Sequence, residues 1–276
     1  MHALLLGCDF SSAPTARKPI RLARGQAVEG GVALQGLESF TTLEAWCRWL
    51  ADTPAWVGAF DLPFGLPREL VERLGWPTEW RALLAHYATL DRRHIREAFA
   101  AFCMARPAGA KFAHRATDGP AGSSPSMKWV NPPVALMLHA GVPRLVAAGA
   151  ALPGLYTPAG TVTRIALEGY PGLLARELIG RRSYKSDDAA RQTDERRRAR
   201  ADLLDALERG SARLGLRLVL TEAQRTLLVA DARADALDAT LCLVQAAWAA
   251  ARRDIGRHGW GLPAEIDPLE GWIVSA

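Results

Sequence analysis

Apolar positions along this chain follow two periods, and the points where the period changes mark its elements. Residues 2–9 form a short, almost continuous apolar run ending on Asp9, which predicts a strand buried on both faces with a carboxylate at its carboxyl end. Residues 20–28 and 31–37 read as two further strands joined in a hairpin through Glu29-Gly30. Thr41 and Glu44 have capping-box spacing and open a helix over 43–50. Residues 55–60 are another short apolar strand, again ending on an acid, Asp61. From 68 to about 151 the spacing of Leu70, Leu74, Leu83, Leu84, Tyr87, Ile95, Phe99 and Phe102 is helical. Residues 105–133 interrupt it with Gly, Pro and Ser, and carry Lys111, His114, Arg115 and Lys128, the pattern of a long exposed loop. The helical pattern resumes over 133–150.

The β-branched stretch 161–167 lies between Gly160 and Gly169 and predicts a strand that finishes on Glu168. Residues 187–209 read as a charged helix, Thr221 caps another with Glu222 in its first turn, and 231–253 is a long Ala-rich helix. Residues 267–273 turn into a final apolar strand or plug. This order predicts an α/β fold. It has a mixed five-stranded sheet, antiparallel in the first three strands and parallel in the remainder, flanked by helices. One domain spans 1–276, with a mainly helical insertion at about 68–151.

Three strands thus end on acids, Asp9, Asp61 and Glu168, and ligands of open α/β sheets collect at the carboxyl ends of parallel strands. Asp235 and Asp238, three residues apart on the last long helix, can share one of its faces. Carboxylates that converge need a counter-cation, and an all-oxygen set suits Mg²⁺ or Mn²⁺. Taken singly, each acid has an ordinary reading: a helix cap for Asp9 or Asp61, a salt bridge to an arginine for Glu168, a solvated helix face for Asp235 and Asp238.

Five short stretches carry a resemblance in the right order along almost the whole chain: Gly7-Cys8-Asp9, Asp61-Leu62-Pro63-Phe64-Gly65-Leu66-Pro67, Glu168-Gly169-Tyr170-Pro171, Tyr184-Lys185-Ser186 and Asp235-Ala236-Leu237-Asp238-Ala239. Together they resemble a bacterial and archaeal family of predicted nucleases with an RNase-H-like fold, domain of unknown function 429. The resemblance implies an RNase-H-like sheet and metal-dependent phosphodiester hydrolysis of DNA or RNA. The metal ligands would be Asp9, Asp61, Asp235 and Asp238, with Glu168 a further ligand or a water-positioning base and Lys185 a phosphate contact.

A net charge of +5, from 34 Lys and Arg against 29 Asp and Glu, fits a polyanionic partner such as nucleic acid. Arg182, Lys128 and Arg115 are the other candidate substrate contacts. Arg191, Arg196, Arg197, Arg198 and Arg200 could track a phosphate backbone, but interleaved acids make a solvated, ion-paired helix the simpler reading. Trp129 and Trp80 are candidates for base stacking or for the core, and His114 for an acid or base.

Four scattered cysteines suggest neither a CxxC zinc site nor a disulfide framework. With no signal-peptide core and no apolar run of membrane-span length, the chain reads as cytoplasmic. GxSxG, GxxxxGK[ST], HExxH and post-strand GxGxxG motifs are absent. Two other readings stay open. Ser11 and Ser12 could form a phosphate loop of the related actin-like and sugar-kinase fold, making the chain a nucleotide-binding or phosphoryl-transfer protein. The acidic cleft could instead be vestigial in a non-catalytic nucleic-acid adaptor.

Overall fold

The computed structural model describes residues 4–276. The first strand, β1, runs Leu4–Asp9; residues 2 and 3 of the expected strand lie outside the described residues. β2 (Ile20–Val28) and β3 (Gly31–Phe40) form the expected hairpin, and Gly30 takes the left-handed φ of 67° that its turn requires. After α1 (Leu43–Asp52) and β4 (Trp56–Asp61) comes the helical segment, built of α2 (Arg68–Arg73), α3 (Trp80–Thr89), α4 (Arg92–Met104), α5 (Asp118–Ala121) and α6 (Val134–Ala147). β5 (Arg164–Glu168), α7 (Pro171–Ile179), α8 (Asp194–Glu208), β6 (Arg217–Val219), α9 (Glu222–Ala230) and α10 (Asp235–Ala250) complete the order.

The sheet order is β5-β4-β1-β2-β3-β6. β1, β2 and β3 are antiparallel, whereas β4 on β1, β5 on β4 and β6 on β3 are parallel. The mixed α/β sheet therefore matches the sequence reading, with six strands where five are expected. The extra strand, β6, has three residues, of which only Leu218 is buried, too few for a period to register.

Alternation along the strands assigns residues to two cores. Leu6 and Cys8 of β1 and Trp56 and Phe60 of β4 pack with α1 and the helical segment on one face. Leu5, Val57 and Ala59 pack on the other face with α7, α8 and α10. Helix α10 lies across β1, β2 and β4, and 14 of its 16 residues are buried. Beyond Asp235, Asp238, Thr240 and Gln245 it is apolar all round, because it is covered on all sides.

Several boundaries move for local reasons. The cap of α1 is Thr42 rather than Thr41, its side chain accepting from the Ala45 N–H at 3.1 Å. The long helix begins at Asp235 rather than 231, because Asp231 folds back to accept from the Ala236 N–H at 3.2 Å. The segment expected as a helix from 187 holds only a 3-10 turn, Ala189–Arg191, before α8. At α9 the Thr221–Gln224 capping box forms. The chain end is a plug: Ile273 makes a single parallel bridge to Glu168, and both Ile273 and Val274 are buried.

The expectation of an exposed loop over 105–133 holds for its ends, where 107–111 and 130–133 are exposed, and fails in its middle. Arg115, Thr117, Asp118, Ser126 and Met127 are buried, and α5 forms inside the stretch. Its polar composition misleads because Arg115 and Asp118 satisfy each other in the interior and the Thr117 hydroxyl accepts from the Ile273 N–H. Among the described residues no helix is long and apolar enough to cross a membrane, and all four cysteines are free.

Candidate functional site

Asp9 and Asp61 stand at the ends of the two central parallel strands and are direct register partners. Neighbouring strands are about 4.8 Å apart, so two same-parity residues place their side chains next to each other. Both follow the parity of Leu5 and Val57 and face α10. That helix can come close because Gly7 of β1 has no side chain: a Cβ there would lie 2.1 Å from the Ala239 carbonyl and from the Leu243 nitrogen. The close approach lays the first turn of α10, with Asp235 and Asp238, over the carboxyl ends of β1 and β4. Carboxylates in that turn also meet the positive end of the helix dipole. Ala234, which precedes the turn, is held in the left-handed region at φ 59°, a strain of about 1 kcal/mol spent where the acids are set.

The four aspartates have different surroundings. Asp238 is fully buried and its oxygens are taken: Oδ1 accepts from the Tyr184 hydroxyl at 2.6 Å and Oδ2 from the Lys185 ammonium. Asp235 is nearly buried, and burial followed by Asp231 raises its carboxyl. Asp9 and Asp61 are half-buried, and no described residue hydrogen-bonds to either carboxylate. Burial, then Asp238, drives the Asp9 carboxyl well above the usual range, with Lys185 opposing and Asp61 and Asp235 adding to the rise. Burial pushes Asp61 up to about 7, with Lys185 opposing and Asp238 and Glu168 reinforcing. Lys185 itself, against burial that would lower it, is held well above an ordinary ammonium by Asp238. The site therefore carries more negative charge than its lysine neutralises.

Glu168 does not join this group. It pairs in register with Phe60, one residue before Asp61, so it projects from the opposite face of the sheet. There it meets the buried Arg115, whose two terminal nitrogens reach Oε1 at 2.7 Å and Oε2 at 2.8 Å. Oε2 also accepts from the Phe64 N–H at 2.9 Å, and Arg115 holds Asp118 Oδ1 at 2.9 Å. The expected third converging acid is thus a salt-bridged one, and it lines the first compartment together with Arg115, expected as a substrate contact and here the cation of a buried carboxylate pair. Burial raises the Glu168 carboxyl despite that arginine. The solvated-face reading of Asp235 and Asp238 is excluded by their burial.

The carboxylates open onto a cleft in two compartments of about 610 and 480 Å³. Asp61, Lys185, Lys18 and Asp187 line both, Asp9 and Asp235 line the second, and Tyr170, Arg181 and Arg182 line the first. Ser11 and Ser12 line the second beside Arg92 and Arg96, where Arg92 donates to the Ser12 carbonyl at 2.5 Å. Arg182 lies in the cleft while bonded to Asp202 at 2.6 Å. Lys128 and His114 are not among the lining residues, whereas Trp129 is. Trp80 belongs to the core, its Nε1 donating to the Phe64 carbonyl at 2.9 Å.

Sequence reasoning missed three supports. Lys18 touches both compartments, and Arg92 fixes the loop after Asp9. Arg200, counted with the charge run, is buried and donates to the Tyr184 and Val229 carbonyls at 2.8 Å each, which positions Tyr184 and Lys185. Isolated cations in polar stretches give no periodic signal by which to find them.

Among the described residues no three His, Cys, Asp or Glu side chains are already drawn in around a metal-sized space. The donor chemistry nevertheless suits a hard cation, because Asp9 and Asp61 offer unpartnered carboxylate oxygens side by side, while burial, with those aspartates adding, raises the nearby Cys8 and Cys242 thiols well above their usual range and keeps them protonated. No family model, curated protein or solved structure matches the chain.

Proposed function

We propose that the chain is a nuclease of RNase-H-like fold that hydrolyses phosphodiester bonds of DNA or RNA with Mg²⁺ or Mn²⁺ held by Asp9 and Asp61, with Asp235 alongside. The observation that carries this reading is the register pairing of Asp9 with Asp61: two adjacent carboxylates without hydrogen-bond donors, facing a cleft. Antiparallel β1 to β3 with parallel β4 and β5 is the arrangement implied by the resemblance to the predicted nucleases, and supports the fold part of the reading.

A divalent ion at this place would lower the pKa of a bound water and stabilise the departing oxyanion. The chain's own groups do the rest. Asp9 and Asp61, with no donor bonded to either side chain among the described residues, turn free carboxyl oxygens to the cleft. Asp238 holds Lys185 at the cleft wall, and the half-exposed ammonium faces the space where a phosphate would lie. Tyr184 fixes the second oxygen of Asp238, so the lysine is anchored at a defined point. Arg115 pairs with Glu168 at the wall of the first compartment and offsets its charge there.

The phosphate-loop alternative has less support. The stretch Phe10-Ser11-Ser12-Ala13 contains no glycine to let successive N–H groups turn inward around a phosphate. The deciding experiment incubates the full chain with a panel of single-stranded, duplex and branched DNA and RNA with Mn²⁺, Mg²⁺ or EDTA. Metal-dependent cleavage abolished by Asp9→Asn is expected. A panel without cleavage, accompanied by tight ATP binding in calorimetry, would transfer the site to nucleotide chemistry.

A further inference from the structure

The two compartments are built alike, and this bears on which form of nucleic acid the cleft accepts. On one side of the Asp9–Asp61 pair lie Arg92, Arg96 and the half-buried ring of Trp129. On the other lie Arg181, Arg182 and the half-buried ring of Tyr170. Each side thus offers exposed guanidiniums beside a half-buried aromatic ring, with Arg233 adding to the first side and Arg115 and Arg176 to the second, and Lys18 and Lys185 sit where the compartments meet. Cations that follow a backbone, interleaved with rings on which bases stack, are the two components of sequence-tolerant single-strand binding.

The depth of the acids argues against a duplex. Asp238 is 0% and Asp235 8% exposed, and Asp9 and Asp61 are half-buried between two walls. One wall is the start of α6 with Pro132, Pro133 and Met137, and the other is the segment from Gly180 to Asp187. A duplex presents its phosphates on a convex cylinder with its bases turned inward, so it can lie across such a cleft without lowering a phosphodiester to the carboxylates. A single strand can enter with its bases splayed to either side. Compartments of about 610 and 480 Å³ lie within the roughly 300–1,000 Å³ of a small-molecule site, room for a few nucleotides and not for two paired strands.

From this arrangement we infer that the cleft binds single-stranded nucleic acid, threaded across the Asp9–Asp61 pair with one base stacked on Trp129 and another on Tyr170. The inference rests on the nucleic-acid part of the proposed function and specifies its substrate class. Binding can be read without metal or turnover, so its failure is distinguishable from failure of the nuclease reading.

The test uses the full chain in EDTA and the anisotropy of a fluorescein-labelled 12-nucleotide mixed-sequence strand, as DNA and as RNA. Each strand is measured alone and annealed to its complement. At least tenfold tighter binding of a single strand is expected, with affinity falling as salt rises. Trp129→Ala and Tyr170→Ala are each expected to weaken it about tenfold, the loss of one stacked base. Arg96→Glu and Arg181→Glu, both exposed substitutions that leave the fold intact, are expected to weaken it at least as much. Duplex binding equal to or tighter than single-strand binding would overturn the inference, as would binding of neither form, or single-strand binding indifferent to all four variants. Preferential single-strand binding without metal-dependent cleavage would leave the inference standing and remove the nuclease reading.

Discussion

Replacing Asp61 by Asn separates the electrostatics of the acidic centre from any assumption about substrate. The folded chain pushes this carboxyl from 3.8 up to about 7. A carboxyl raised on folding is bound by more protons in the native than in the unfolded state, so stability declines as pH rises from about 4 to about 7 and stays low above it. Each unit is worth 1.36 kcal/mol, which sets a ceiling of about 4 kcal/mol at pH 8. Solvent in the open cleft screens part of it, so a gain of about 2 kcal/mol is expected for Asp61→Asn, which keeps the side-chain shape without the charge. For a chain of this size that corresponds to a midpoint about 4–8 °C higher at pH 8. Urea unfolding at pH 8, 6 and 4.5 reads the effect directly. The gain should be largest at pH 8 and shrink steadily toward 4.5. An unchanged or less stable variant at pH 8, or a gain independent of pH, would refute the claim that burial, reinforced by Asp238 and Glu168, raises the Asp61 carboxyl. The same experiment with Mn²⁺ should stabilise the wild type and not the variant.

Other changes probe the supports of the site. Gly7→Ala places a methyl against the Ala239 carbonyl and the Leu243 nitrogen, so α10 must shift; a loss of about 3 kcal/mol is expected in chemical denaturation, together with loss of any Mn²⁺ binding seen by electron paramagnetic resonance. Arg115→Met leaves Glu168 and Asp118 buried without their cation and is expected to cost about 3–5 kcal/mol at pH 8. That deficit should shrink as pH falls and a proton on Glu168, whose carboxyl burial already raises, takes the place of the arginine, which denaturation at pH 5 would show. Lys185→Met removes the cation on Asp238 and is expected to cost about 1–3 kcal/mol in urea unfolding at pH 8, because Asp238 keeps only its bond from Tyr184.

Much of the architecture is written in local pattern. Apolar runs of strand length ending at Asp9 and Asp61, the Glu29-Gly30 turn and the cap at Thr221 each follow from short-range chemistry, and each forms as expected. The pairing of two strand-end aspartates was also legible, because both acids occupy the same position in similar runs. What the chain could not reveal by itself was parity between strands. Glu168 also ends a strand, but register sets it beside Phe60 rather than Asp61 and turns it to the other face, a one-residue difference that no single-strand pattern contains. Tertiary packing likewise decided that Arg115 is buried rather than exposed, and that Lys185 lies on Asp238, since both contacts join residues more than fifty positions apart. The sequence by itself determined the strands, the hairpin, most helices and the chemical type of the centre. Only the tertiary structure decided which acids share a face, which carry an internal counter-charge and which stand open to the cleft, because those depend on the register of β1, β4 and β5 and on how closely α10 can approach Gly7.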